Sequence, residues 1–261
     1  MAGHDNKPAL VTLSVRGLNL ARKLSRVLGG DIYVHSEAPP GKGVMVFDRI
    51  MDLAGKLFAG YKRIIFILPV GVAVRAIAGH TGHKTIDPAV VVVDVGGRWA
   101  ISLLSGHEGG ANKLALEAAN ILGCEPVITT STEAEKDIVV GVGCRKGVQA
   151  GDVMHALHHC LDKTGVNVSR VRLLVSVDIK KNEPGLVLAA EKLDIPLYFL
   201  ASAMIRNIPL NTAESKFVMD KVGLPGVAEP CALLSARNPE LILGKTVCNS
   251  VTIAIARENC L

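Results

Sequence analysis

Aromatic side chains are scarce in this sequence: five Phe, three Tyr and one Trp among 261 residues. A protein that reads single-stranded bases by stacking needs ring platforms, so that class is set aside. Closely spaced cysteine pairs are absent as well. Cys124, Cys144, Cys160, Cys231, Cys248 and Cys260 form no Cys-x-x-Cys, which excludes a small disulfide scaffold and gives no zinc signature. No apolar run is long enough to span a bilayer; stretches such as 64–74 are short and interrupted. Residues 1–8 are polar and lack the apolar core of a signal peptide. The expectation is a cytoplasmic protein with no membrane partner. Charge of one sign is not dominant either: 29 Lys and Arg face 24 Asp and Glu, for a net +5. The basic residues are scattered, so a DNA-binding stripe is not supported and no nucleic-acid partner is expected. The slight positive balance suits a small polyanionic ligand as well as an ordinary soluble protein.

Apolar residues are plentiful, at 49%. With so few rings, the core must be built from Val, Leu, Ile and Ala, as in proteins with buried parallel strands. The length suits two domains. Periodicity reads as strands at 9–15, 31–35, 63–68 and 126–129, and helices at 18–28, 47–58, 72–78 and 111–122. Residues 89–95 and 99–103 read as two strands joined by a tight turn at Gly96-Gly97. The charged stretch 131–137 marks a boundary. Beyond it, strands are expected at 138–142, 172–175, 197–200 and 246–256, with helices at 148–161, 186–193, 215–222 and 229–234. The expected architecture is α/β in two domains, 1–134 and 138–261, each a mostly parallel sheet flanked by helices.

Four segments carry residues capable of chemistry. Leu104-Ser105-Gly106-His107-Glu108-Gly109-Gly110-Ala111-Asn112 ends a strand and opens a helix. Its glycines permit close backbone approach, and a helix N-terminus offers unpaired N–H groups to an anion. Ligands of open α/β sheets bind at the carboxyl ends of strands, so this turn reads as a site. Its spacing matches neither a Walker A loop nor a nucleophile elbow. The second segment is Val70-Gly71-Val72-Ala73-Val74-Arg75, where Arg75 either grips a carboxylate or is a solvated helix residue. His80 and His83 follow it, but no third metal ligand accompanies them, and no protein-bound metal is expected. The third is Val140-Gly141-Val142-Gly143-Cys144-Arg145-Lys146-Gly147, a glycine turn with two basic residues before a helix. Cys144 reads there as a small buried thiol, since no base partner can be named for it. In the fourth, 176–185, Lys180 and Glu183 form a catalytic pair or an exposed ion pair, and spacing alone does not separate the two. Ser215 and Glu229 read as helix caps.

Taken in order, these segments resemble the CbiG family of cobalt-precorrin-5A hydrolases. Residues 69–75, Lys84 with Asp87-Pro88-Ala89-Val90, 103–112 and 127–130 are similar to the family's N-terminal region. Residues 140–147, 176–185, Ser215, 227–233 and 251–256 are similar to its C-terminal domain, which also resembles a stand-alone protein of the pathway. The family's middle domain has no counterpart, because Thr129-Thr130-Ser131 lies only a few residues before 139–144.

The resemblance implies a reaction: water opens the δ-lactone of cobalt-precorrin-5A, and acetaldehyde leaves to give cobalt-precorrin-5B. It implies no cofactor, since cobalt arrives within the substrate. The implied partners are that anionic cobalt-tetrapyrrole and other cobalamin-pathway enzymes. On this reading His107 is the general base or acid. Lys84 or the N–H groups of Gly109 and Gly110 stabilise the oxyanion, while Ser105 and Asn112 orient water or lactone. Arg75, Gly106, Gly143, Arg145, Lys180 and Glu183 bind the substrate. The alternative is a non-catalytic corrinoid-precursor binding or handover protein of the same pathway, motivated by the absent middle segment.

Overall fold

The computed structural model describes residues 7–39, 41–206 and 226–259, and the chain divides into two units, Met1–Thr130 and Ser131–Leu261. The helix expected at 215–222, Ser215 itself and Cys260 lie outside the described residues. Among the described residues no helix is long and apolar enough to cross a membrane.

In the first unit, β1 (Ala9–Thr12), β4 (Arg63–Ile67) and β5 (Ala89–Val93) are buried almost throughout. Central parallel strands are covered by helices on both faces, which is why they read as unbroken runs of Val, Ile, Leu and Ala. β2 (Asp31–His35) and the short edge strand β3 (Met45–Phe47) extend the sheet on one side. β6 (Trp99–Leu104) and β7 (Glu125–Val127) extend it on the other, in the order β3-β2-β1-β4-β5-β6-β7. Among the described residues four helices complete the unit: α1 (Val15–Leu28), α2 (Ile50–Gly60), α3 (Val70–Ile77) and α4 (Ala111–Leu122). The helix expected from residue 47 begins later because Phe47 pairs with His35 in β3.

β6 turns back on β5 as an antiparallel hairpin, whereas the remaining pairings of this sheet are parallel. The Asp94 carboxylate builds the turn, accepting the N–H groups of Gly96, Arg98 and Trp99 at 3.0, 2.6 and 2.9 Å. This reversal decides where the glycine-rich loop after β6 emerges.

In the second unit, β8 (Ile138–Cys144), β9 (Val171–Val177) and β10 (Leu197–Leu200) run parallel. β12 (Val251–Arg257) pairs antiparallel with β8, and β11 (Glu240–Cys248) antiparallel with β12. The single strand expected at 246–256 is therefore the end of one strand, a turn at Asn249-Ser250 and most of another. Gly244 and Lys245 interrupt the apolar pattern of β11, and its partial exposure erases the alternation. Among the described residues the helices are α5 (Ser131–Ala134), α6 (Ala150–Thr164), α7 (Pro184–Leu193), α8 (Ser202–Arg206) and α9 (Ala228–Ser235). Ile138, Val140 and Val142 share a core with the buried faces of α6 and α7. Gly141, on the opposite face of β8, lets α9 approach so closely that a Cβ there would meet the Ala228 carbonyl oxygen at 1.8 Å.

Candidate functional site

Because β6 is antiparallel, Leu104 at its carboxyl end pairs with Val90 near the start of β5. The loop 105–110 thus stands at the edge where β4 and β5 begin, opposite the edge where parallel strands usually present ligands. The segment 84–88 leads into β5 at the same edge. Lys84 Nζ meets Glu108 Oε1 across the two loops at 2.5 Å. Beside this pair lies an open cleft of about 430 Å3, whose lining includes Phe58, Tyr61, Ile86, Asp87, Glu108 and Gly109. Glu108 is a member of the site that sequence reasoning missed. Its signal was available, as an acid between His107 and two glycines. Lys84 holds the Glu108 carboxyl below the usual range, chiefly by its hydrogen bond, with the Glu108 N–H also contributing and the charges of Lys84 and His107 acting in the same direction.

Ser105 occupies the left-handed region at φ 57° and is buried. Its Oγ has no hydrogen-bond partner among the described residues. A non-glycine residue held in this way stores strain, and such residues cluster at functional sites. The start of α4 is less open to a ligand than expected. Ala111 and Asn112 donate their N–H groups to Ser105 O at 3.1 Å and Gly106 O at 3.0 Å. The loop therefore consumes two of the four donors a helix N-terminus leaves free. Gly109 and Gly110 donate to no acceptor among the described residues. Asn112 is already engaged: its Oδ1 accepts from Ser102 Oγ at 2.8 Å, and its Nδ2 donates to Thr130 Oγ1 at 3.2 Å. Asn112 clasps the loop to β6 and residue 130 instead of facing a ligand. Gly106 packs against the same clasp, since a Cβ there would meet Thr130 Cγ2 at 2.8 Å. His107 is exposed beside them.

Arg75 is not brought to this loop. Its helix begins at the carboxyl edge of β4, and its Nη1 donates back to Gly71 O at 3.1 Å. At that edge Val15, Val70 and Val74 remain exposed, and Gly17 packs against Thr12 and Ile67. This is the crevice between β1 and β4 where the strand order reverses; of its residues, sequence reasoning had singled out only those of 70–75. His80 packs against Phe58 and Gly55, whereas His83 Nδ1 lies 2.8 Å from Thr85 Oγ1.

In the second unit, Gly143 is buried in the β8–β12 ladder opposite Thr252 and does not face a ligand. Arg145 is exposed at the strand end, its N–H donating to Ser250 O at 3.0 Å. Lys180 and Glu183 are not an exposed pair: their side chains are 18% and 8% accessible, with Nζ and Oε2 3.8 Å apart. Glu183 Oε1 accepts the Gly147 N–H at 2.7 Å, so this carboxylate ties α7 to the loop before α6. Burial is the main cause raising the Cys144 thiol, with Glu183 adding and Lys180 opposing. A thiol raised in this way is a weaker nucleophile than a free cysteine. Glu183→Ala should destabilise this unit by about 3 kcal/mol, because it leaves the Lys180 ammonium and the Gly147 N–H uncompensated. Accelerated hydrogen exchange across β8 and β9 would register the loss; wild-type protection would refute it.

A family model described as "Cobalamin synthesis G N-terminal" matches residues 52–133, and one described as "Cobalamin synthesis G C-terminus" matches 138–256. This chain belongs to the CbiG family. The N-terminal match includes Lys84 and the loop 105–110, and the C-terminal match includes Glu183. A cobalt-precorrin-5A hydrolase of Priestia megaterium is 24% identical over 95% of this chain and 94% of its own length. That alignment runs over 352 positions, 91 more than this chain has residues, so the relative carries residues with no counterpart here. A cobalt-precorrin-5A hydrolase of Salmonella typhimurium is 42% identical over 129 residues, 49% of this chain and 36% of that protein. Protein CobE of Sinorhizobium sp is 32% identical over 128 residues, 48% of this chain and 83% of that protein.

Proposed function

We propose that this CbiG-family chain hydrolyses the δ-lactone of cobalt-precorrin-5A in the cytoplasm, with release of cobalt-precorrin-5B and acetaldehyde. The observation that carries this reading is similarity to a cobalt-precorrin-5A hydrolase along 95% of the chain. Cobalt enters within the substrate, so the protein supplies groups for water activation and for carboxylate arms. His107 is the exposed imidazole on the loop and takes the proton from the attacking water. The free N–H groups of Gly109 and Gly110 suit the oxyanion that develops on the lactone carbonyl. The unsatisfied Ser105 hydroxyl is a partner for that water. Asn112 acts by holding the loop in shape. Lys84 receives a substrate carboxylate, and Glu108 occupies it beforehand.

Incubation with cobalt-precorrin-5A tests the reading directly. Acetaldehyde in step with substrate loss supports hydrolysis. Stoichiometric binding with no acetaldehyde supports the second reading, a carrier in the same pathway, which the residues lacking relative to the Priestia megaterium enzyme favour.

The Lys84–Glu108 pair makes its own prediction. Exposed ion pairs are weak and salt-screened, so removing the internal carboxylate should modestly favour an external one. Glu108→Gln should lower KM roughly two- to fivefold, and Lys84→Ala should raise KM and flatten its salt dependence. An unchanged KM in both variants would remove Lys84 from the substrate's path.

A further inference from the structure

We propose that α6 carries a surface site for a divalent transition-metal ion, held by the imidazoles of His155 and His159. Three of the chain's eight histidines, His155, His158 and His159, lie within five residues of this helix. Side chains four apart on a helix share a face. The two rings are nearly parallel, with an interplanar angle of 14° and centroids 6.4 Å apart. Both are exposed, and neither ring hydrogen-bonds to anything among the described residues. Their nitrogens are therefore free to ligate. A metal-bound imidazole nitrogen sits about 2.1 Å from its ion, so the rings must pivot toward each other. Exposed side chains reach neighbouring rotamers at small cost.

Asp152, three residues before His155, and Asp162, three after His159, are exposed on the same face and add negative charge. Among the described residues no three such groups converge on one point, so the site is a two-imidazole chelate with water completing the coordination. That donor set selects against magnesium and calcium, which prefer oxygen cages. It favours copper over nickel and nickel over cobalt, by the general order of divalent affinities. Bridging one turn of α6 also favours the folded helix, since a ligand bound only by the native state stabilises it. The proposal is independent of the hydrolase reading.

The test is calorimetric titration of the tag-free protein with nickel chloride, with magnesium chloride in parallel. The expected result is one saturable nickel equivalent and no magnesium binding. His155→Ala and His159→Ala should each weaken nickel binding about tenfold or more, and His158→Ala should leave it nearly intact. All three positions are exposed, and circular dichroism checks that each variant folds. Absence of saturable nickel binding, or equal binding in His155→Ala, His159→Ala and wild type, would overturn the proposal.

Discussion

His107→Ala is expected to release acetaldehyde from cobalt-precorrin-5A at least about a hundredfold more slowly than the unaltered protein, with little change in binding. The ring is exposed on a loop whose backbone is held from both sides, by Ser105 O and Gly106 O on the start of α4 and by the Asn112 clasp. A base that moves a proton only in the reacting complex contributes to rate and hardly to ground-state affinity. Because the imidazole faces solvent, its removal leaves the loop intact and the variant folds. Single-turnover acetaldehyde release, with binding followed separately by the substrate's absorbance, reads the two effects apart. Wild-type turnover would exclude His107 as the base. His80→Ala and His83→Ala serve as comparisons: both lie outside this loop and should matter less.

Gly109→Ala should be as damaging through a different route. A Cβ at position 109 would lie 2.4 Å from Ser105 Cβ and 2.9 Å from Ser105 O. Real carbons do not approach so closely; Ser105 Cβ is fixed to its Cα and Ser105 O is backbone, so neither can swing aside and the loop must open. Opening it detaches Ser105 O from the Ala111 N–H and displaces His107 and the adjacent N–H groups together. Misplacement of about 1 Å can cost about a hundredfold in rate, and overpacking costs about 1–3 kcal/mol in stability. Gly110→Ala provides the contrast. Gly110 sits at φ 84° with nothing within 4 Å of a built Cβ, so its cost is about 1 kcal/mol of backbone strain with no steric opening. Faster hydrogen exchange at 111–114 in Gly109→Ala, together with the rate loss, checks the mechanism. A wild-type rate in Gly109→Ala would mean that the loop's shape is not required.

The helix Ala111–Leu122 and the strands Asp31–His35 and Leu197–Leu200 are legible residue by residue, because their apolar spacing and flanking glycines or proline are local properties. The glycine-rich loop with Ser105, His107 and Asn112 is legible for the same reason, as is the resemblance carried by its neighbours. The edge at which that loop emerges is not. Local periodicity reports burial, whereas strand direction belongs to pairing between residues such as Val90 and Leu104. That one reversal separates Arg75 from His107 and brings Lys84 to Glu108, 24 residues away. Tertiary packing also decided which polar groups remain free. Asn112, Glu183 and two N–H groups of α4 look in sequence like ligand contacts. Each is consumed within the fold, where loss of water contact favours an internal partner, and for these the partner is the protein itself.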